Sequence, residues 1–425
     1  MQQHQNSSSP FNAPPLPLAL TDTGAAEKWS AMERHMAHPL LQSLRGIKKG
    51  TLRVYLPDES EVFYLGADPG SHANIHFHDW KSLDRIVMQG EVALGEDYAA
   101  GLWHTSDLKN LMRLTHQNGN IFDVIYDPGL LSRLARLAQR KLLARPPGPP
   151  RKKNFPTLSN DFYRLWLDQT MTFSGALFLG DDSVSMEDAQ CAKHRRALGR
   201  LDLQPGQHVL DIGCGWGAFM EEAARSGIRT TGVTMAAEQA AYAKERLTGF
   251  SDLTEIRLED YRLLTGQYDG IVSLGMFERI GEAAWQGYMN CIFRNLRPGG
   301  RALIQTAVIG DQRFEDYRTS IDFMRKHIIP GGMYASRRRL TEEAERAGLI
   351  IHDVYNFGRD QAITFDRWHD RFSDSSTALR EMGYSSEFIR KWQFYLASST
   401  AMFASECLDV LQIELLRPSA RPIRV

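Results

Sequence analysis

Asp211 closes a hydrophobic run and is followed by glycines at 213, 215 and 217 in the segment VLDIGCGWGAF. Three alternating glycines between a buried strand and a helix let the backbone turn sharply and approach a ligand too closely for any Cβ. A nucleotide-like molecule suits such a loop. A dinucleotide fits poorly, because its fingerprint is GxGxxG with an acid about 20 residues further on that binds the ribose. Here the spacing is GxGxG, and the next strand ends in Thr234 and Met235. A glycine turn without a ligand is the other alternative, but a turn alone does not need this pattern.

The elements that must position this loop are legible around it. HVLDIG, RTTGVTM, LTEIRLED, YDGIVSLG, RALIQTAVI and LIIHDVYNFG read as strands, with helical segments at AFMEEAARS, AAEQAAYAKERL, WQGYMNCIFRNL and RRRLTEEAERAG. That alternation predicts a mostly parallel, doubly wound sheet covered by helices on both faces. Upstream, TLRVYLPD and EVFYLGAD alternate like a hairpin turning near Asp58 and Glu59, and SLDRIVMQG and SDLKNLMRLTHQ add shorter segments. A small α+β domain is expected at 30–145. Between Asp127 and Asp161 stand eight basic residues and no acid. GLLSRLARLAQRKLLAR reads as an amphipathic helix with Arg133, Arg136 and Arg140 on one side. PPGPPRKK then ends it as a linker at 146–156. The polar, Pro/Ser-rich residues 1–29 are expected to be disordered.

Composition bounds the function. The 425 residues carry 50 Lys+Arg and 51 Asp+Glu, a net charge of −1, so no overall field favours nucleic acid. Four scattered cysteines, Cys191, Cys214, Cys291 and Cys407, give no metal-site spacing and suit a reducing compartment. No run of about 18 apolar residues could span a membrane. A cytoplasmic protein follows as the expectation.

DIGCGWG, GVTMAAEQ, DYR at 260–262 and GMFERIG at 275–281 together resemble the cyclopropane-fatty-acid synthase family of S-adenosylmethionine-dependent methyltransferases. SNDFYRLWLDQTMTFSGALF at 159–178 resembles the segment that precedes the family's fold, and GEDYAAGLW at 95–103 resembles the lipid-handling domain of its bacterial members. The likeness runs from Leu158 to Leu416. It implies a class I methyltransferase domain at 157–425, a Rossmann-like α/β fold with a seven-stranded, mostly parallel sheet, behind the smaller N-terminal α+β domain. It also implies S-adenosylmethionine on Phe173, Ser174, Asp211, Gly213, Gly215, Thr234 and Gln239, with Asp260 and Tyr261 near the adenine.

The family's chemistry adds a methyl group to an alkene and then needs a base to take a proton, a role given in the family to bicarbonate held by four residues. Glu278 stands at the glutamate position. Gly175 replaces the cysteine, Gln305 the histidine and Gln361 the tyrosine, and Phe155, Pro156 and Thr157 replace a further HYD motif. Loss of activity, two glutamines rebuilding a polar pocket, and altered acyl-chain chemistry are the three ways to read these changes. The third is adopted, with Glu278 as base and bicarbonate not required. The resemblance implies phospholipid acyl chains at the inner membrane face as the partner, no nucleic acid, and a homodimer as a possible assembly. A small-molecule N- or O-methyltransferase and a non-catalytic partner of a true synthase are the competing readings.

Overall fold

A computed structural model describes residues 30–119 and 158–419. The expected disordered segment, basic helix, proline-rich linker and replaced HYD motif lie outside the described residues. The described chain divides into two compact units, one within 1–94 and 102–126, the other formed by 95–101 and the described part of 127–425.

The smaller unit starts with a helix, Ala31–Leu44, opened by a capping box in which Ser30 and Glu33 satisfy each other's backbone N–H groups. Strands β1 (Lys49–Tyr55) and β2 (Glu61–Leu65) form the expected antiparallel hairpin, with Glu59 in the left-handed region at φ 66°. Strand β3 (Asp68–Phe77) runs parallel to β1, and β4 (Trp103–His104) closes a sheet ordered β2-β1-β3-β4. Leu52, Val54 and Ile75 of the sheet are buried with Leu83, Ile86, Leu111 and Leu114 of the helices Trp80–Gln89 and Leu108–Gln117, so one sheet face makes this core.

In the larger unit the six expected strands form as β5 (His208–Ile212), β6 (Arg229–Thr234), β7 (Thr254–Leu258), β8 (Tyr268–Leu274), β9 (Leu296–Ile309) and β11 (Ile350–Asn356). The short β10 (Ala335–Ser336) and the final β12 (Leu408–Leu416) complete the sheet. Seven strands follow the path β11-β12-β9-β8-β5-β6-β7, and β10 pairs with β9 as an eighth. Strands β5 to β9 are parallel; β12 is antiparallel to both β9 and β11. A sheet of class I methyltransferase form is therefore present, one short strand wider than expected. Helices cover its faces: Ala197 and Leu201 of Met186–Leu201 and Phe219 and Ala223 of Ala218–Arg225 pack on Val209, Val272 and Leu303.

Strand order reverses between β5 and β8, because the chain moves outward through β6 and β7 before returning. The crevice beyond the carboxyl ends of these strands is where open α/β sheets bind ligands. No helix among the described residues is long and apolar enough to cross a membrane.

Candidate active site

Asp211 and Gly213 lie at the carboxyl end of β5, and the loop turns through Gly213 (φ 83°), Gly215 (φ 54°) and Gly217 (φ 84°) into the helix Ala218–Arg225. A Cβ on Gly213 would lie 2.9 Å from Cγ of Met276, whereas one on Gly215 would meet nothing within 4 Å. Gly213 thus seals the loop against the β8 side, and Gly215 leaves backbone open to a ligand. Thr234 ends β6, where its hydroxyl donates to Gln239 Oε1 at 3.0 Å and accepts from the Ala236 N–H. This fixes Gln239 beside the loop.

Asp260 follows β7 and is taken up by Arg262, which holds its carboxyl below the usual range. The Tyr261 ring is buried edge-on against Tyr288, 5.2 Å between centroids. Its side chain belongs to the core, so only its backbone is free to border an adenine.

Ser174 lies against the end of β8. A Cβ on Gly275 would lie 2.8 Å from the Ser174 Cβ, so this glycine lets the end of β8 close onto the 173–178 segment. The closure brings together the four positions singled out for the base. Gly175, Glu278, Gln305 and Gln361 all line one cavity of about 510 Å³, counting its open mouth, together with Phe173 and Ser174.

Each of the four has a defined setting. Glu278 sits in a one-turn helix, Phe277–Arg279, just past β8, and its Oε2 accepts from Thr306 Oγ1 at 3.1 Å. Burial pushes its carboxyl above the ordinary range, against the opposing pull of Arg279. Gln305 is buried on β9 directly across from Gln412 of β12, whose amide donates to Gln305 Oε1 at 3.1 Å. Arg196 in turn donates to Gln412, and Gln305 donates to the Gly175 carbonyl at 3.1 Å. The Gln305 amide is therefore committed to the scaffold. Gln361 fills the space of a missing side chain: a Cβ on Gly175 would fall 1.7 Å from its Oε1. Glycine at 175 and glutamine at 361 are sterically matched, and neutral amides now form this wall.

The helix Gly358–Asp374 holds the segment as well as filling it. Asp360 accepts the backbone N–H groups of Phe178 (2.7 Å) and Leu179 (3.2 Å), and Thr364 Oγ1 accepts that of Ala176. Asp360→Ala would strand two backbone donors, one of them fully buried. A stability loss of about 2–3 kcal/mol in denaturant unfolding is expected. A loss below about 0.5 kcal/mol would show that other groups hold the segment.

Apolar side chains make up much of the remaining lining, and Arg279 joins them with its guanidinium 5.1 Å from the Phe173 ring centroid. Phe365, Trp368 and Phe403 join Phe173, with ring centroids of Phe365 and Phe403 5.7 Å apart. Tyr334 and Tyr395 also line the cavity, the Tyr334 hydroxyl donating to Met324 Sδ at 2.7 Å, and burial raises both phenols well above their normal pKa, so they stay protonated near neutral pH. The sequence shows Tyr395 only as one aromatic among several at helical spacing in KWQFYLASSTAMF. Its phenol was distinguishable from its neighbours only once the helix Ser386–Ala404 was placed.

The arrangement can shelter an apolar chain, hold a carboxylate of raised proton affinity against it, and offer a glycine cradle next door. The open backbone at Gly215, with the anchored Thr234–Gln239 pair, fits S-adenosylmethionine.

Residues 152–413 match the family model described as mycolic acid cyclopropane synthetase. The chain is 31% identical over 416 residues to a tuberculostearic acid methyltransferase of Mycobacterium tuberculosis, covering 92% of this chain and 96% of that protein. It is 33% identical over 350 residues to the cyclopropane-fatty-acyl-phospholipid synthase of Escherichia coli, covering 80% and 87%. Among solved structures it is similar to a cyclopropane synthase from Mycobacterium tuberculosis, with TM-score 0.56 and 29% identity over 61% of this chain and 94% of that one. A mycolic acid cyclopropane synthase complexed with S-adenosylhomocysteine matches at TM-score 0.55 and 28% identity, over 61% and 94%.

Proposed function

This chain belongs to the mycolic acid cyclopropane synthetase family of S-adenosylmethionine-dependent enzymes, and from that premise we propose that it methylates unsaturated acyl chains of membrane phospholipids without using bicarbonate. The observation that carries this reading is the amide wall, in which the Gln361 side chain occupies the space a residue-175 side chain would need. When bound, S-adenosylmethionine supplies an electrophilic methyl group. Gly213, Gly215, Ser174, Thr234, Gln239 and Asp211 would hold it, with Asp260 toward the adenine.

This chain's residues then have two tasks. Phe173, Phe365, Trp368 and Phe403 exclude water, and an aromatic lining favours the positive charge that the methylated double bond acquires at its second carbon, against the opposing charge of Arg279 beside the Phe173 ring. Glu278 accepts a proton from the acyl chain, and the freed C–H electron pair restores neutrality. A proton lost from the new methyl closes a three-membered ring. A proton lost from a neighbouring chain carbon leaves a methylated alkene. The near full-length likeness to a tuberculostearic acid methyltransferase favours the second product.

Expression in a host lacking its own synthase tests the reading. Phospholipid fatty acids one CH2 heavier are expected by mass spectrometry, and mild hydrogenation separates the products, since an alkene takes up hydrogen and a ring resists. An unchanged lipid profile with the cofactor still bound by the purified protein would overturn it.

A further inference from the structure

Lys193 is fully buried in the helix Met186–Leu201, where an isolated ammonium would be costly to desolvate. Its Nζ lies 2.7 Å from Ser174 Oγ. One turn earlier, Gln190 Nε2 donates to the Ser174 carbonyl at 2.9 Å. The helix therefore grips both the hydroxyl and the carbonyl of Ser174. Two carboxylates, Asp168 and Asp211, act on the ammonium electrostatically, and His194 follows it in the helix. Asp168 Oδ2 accepts from the Thr170 N–H and hydroxyl, while its Oδ1 is buried without a hydrogen-bond partner.

The direction of the Lys193–Ser174 bond has a chemical consequence. An ammonium can only donate, so it takes a lone pair of Ser174 Oγ. The Ser174 proton must then point away from Lys193. A hydroxyl so oriented, and polarised by a cation behind it, donates to an anionic acceptor. The ligand placed at this loop has one such group, the carboxylate of its amino-acid end.

We infer that Lys193 is a positioning residue which orients and polarises the Ser174 hydroxyl for the carboxylate of the cofactor's amino-acid end. The inference rests on the placement of that end at Ser174. Lys193 does not touch the cofactor; it acts through Ser174. Desolvation lowers its pKa to about 7, with Asp168 and Asp211 opposing, while burial raises the pKa of both carboxyls in turn; the orientation belongs to the form of this buried cluster that keeps the proton on Lys193.

Calorimetric titration with S-adenosylhomocysteine and with its analogue lacking the carboxylate separates the possibilities. Lys193→Met keeps the length of the side chain but leaves the buried carboxyls of Asp168 and Asp211 without their cation, so a lowered melting temperature accompanies it. It should weaken S-adenosylhomocysteine by about tenfold and leave the analogue within about twofold. Ser174→Ala should behave alike, and adding Lys193→Met to it should cost nothing more. Should Lys193→Met not fold, Lys193→Gln makes the same comparison, with a selective loss again expected. Equal weakening of both ligands, or wild-type affinity in the Lys193 variants beside a weakened Ser174→Ala, would overturn the role of Lys193. Wild-type affinity in Ser174→Ala itself would instead overturn the placement of the cofactor at Ser174.

Discussion

Glu278→Gln is expected to lower turnover by roughly 10²-fold or more while binding S-adenosylhomocysteine within about twofold of wild type. Glutamine keeps the length of the side chain and can still accept from Thr306, so the local turn survives. What it loses is the ability to take a proton. The pH profile gives an independent sign. Glu278 works as a base only when ionised, and burial raises its pKa, so the acid limb of wild-type activity should lie above the ordinary carboxylate range. That limb should vanish in the residual activity of the variant. Stability should move the other way. An acid whose folded pKa exceeds its unfolded pKa favours folding at low pH and opposes it once ionised, so at neutral pH Glu278→Gln should melt no lower than wild type. A variant with normal turnover would mean that another group takes the proton.

Gly213→Val should abolish measurable cofactor binding, a loss of roughly 10²-fold or more by calorimetry. Two effects add. The backbone there has φ 83°, which costs an L residue about 1–2 kcal/mol and a β-branched one more. The new Cβ would also lie 2.9 Å from Cγ of Met276, forcing the loop away from the end of β8. Gly213→Ala has the same strain without the branch, and an intermediate loss is expected. Undiminished affinity in the valine variant, with the fold intact by circular dichroism, would remove the loop from the cofactor site.

The glycine loop and its neighbours were legible because strand, turn and helix there are local: DIGCGWG states all three within a dozen residues. Six strands of the larger sheet were likewise visible as hydrophobic runs between helical segments. Strand β12 was not read, although Leu411 to Leu415 alternate apolar and polar; that pattern describes a strand with one solvated face, whereas Gln412 and Glu414 are both buried. That strand supplies Gln412, so the chain from Arg196 through Gln412 and Gln305 to Gly175 was invisible too. The resemblance named Gly175, Glu278, Gln305 and Gln361 separately, and the fold joins them in one cavity. Their physical relation is long-range: the 175 and 361 positions fit each other across 186 residues of chain, which no local pattern encodes. Lys193 shows the same limit. In AKHRR it reads as one more charge on a solvated helix, and only packing reveals that it is buried against Ser174.

The central claim, acyl methylation that does not call on bicarbonate, is tested most directly by transfer of isotopically labelled methyl from S-adenosylmethionine into unsaturated phospholipid vesicles. The purified protein is assayed in buffer stripped of bicarbonate and in the same buffer with bicarbonate restored. The amide wall predicts labelled acyl chains at the same rate in both. Strong stimulation by restored bicarbonate would contradict the account, because it would show that the Gly175–Gln305–Gln361 wall still holds the ion.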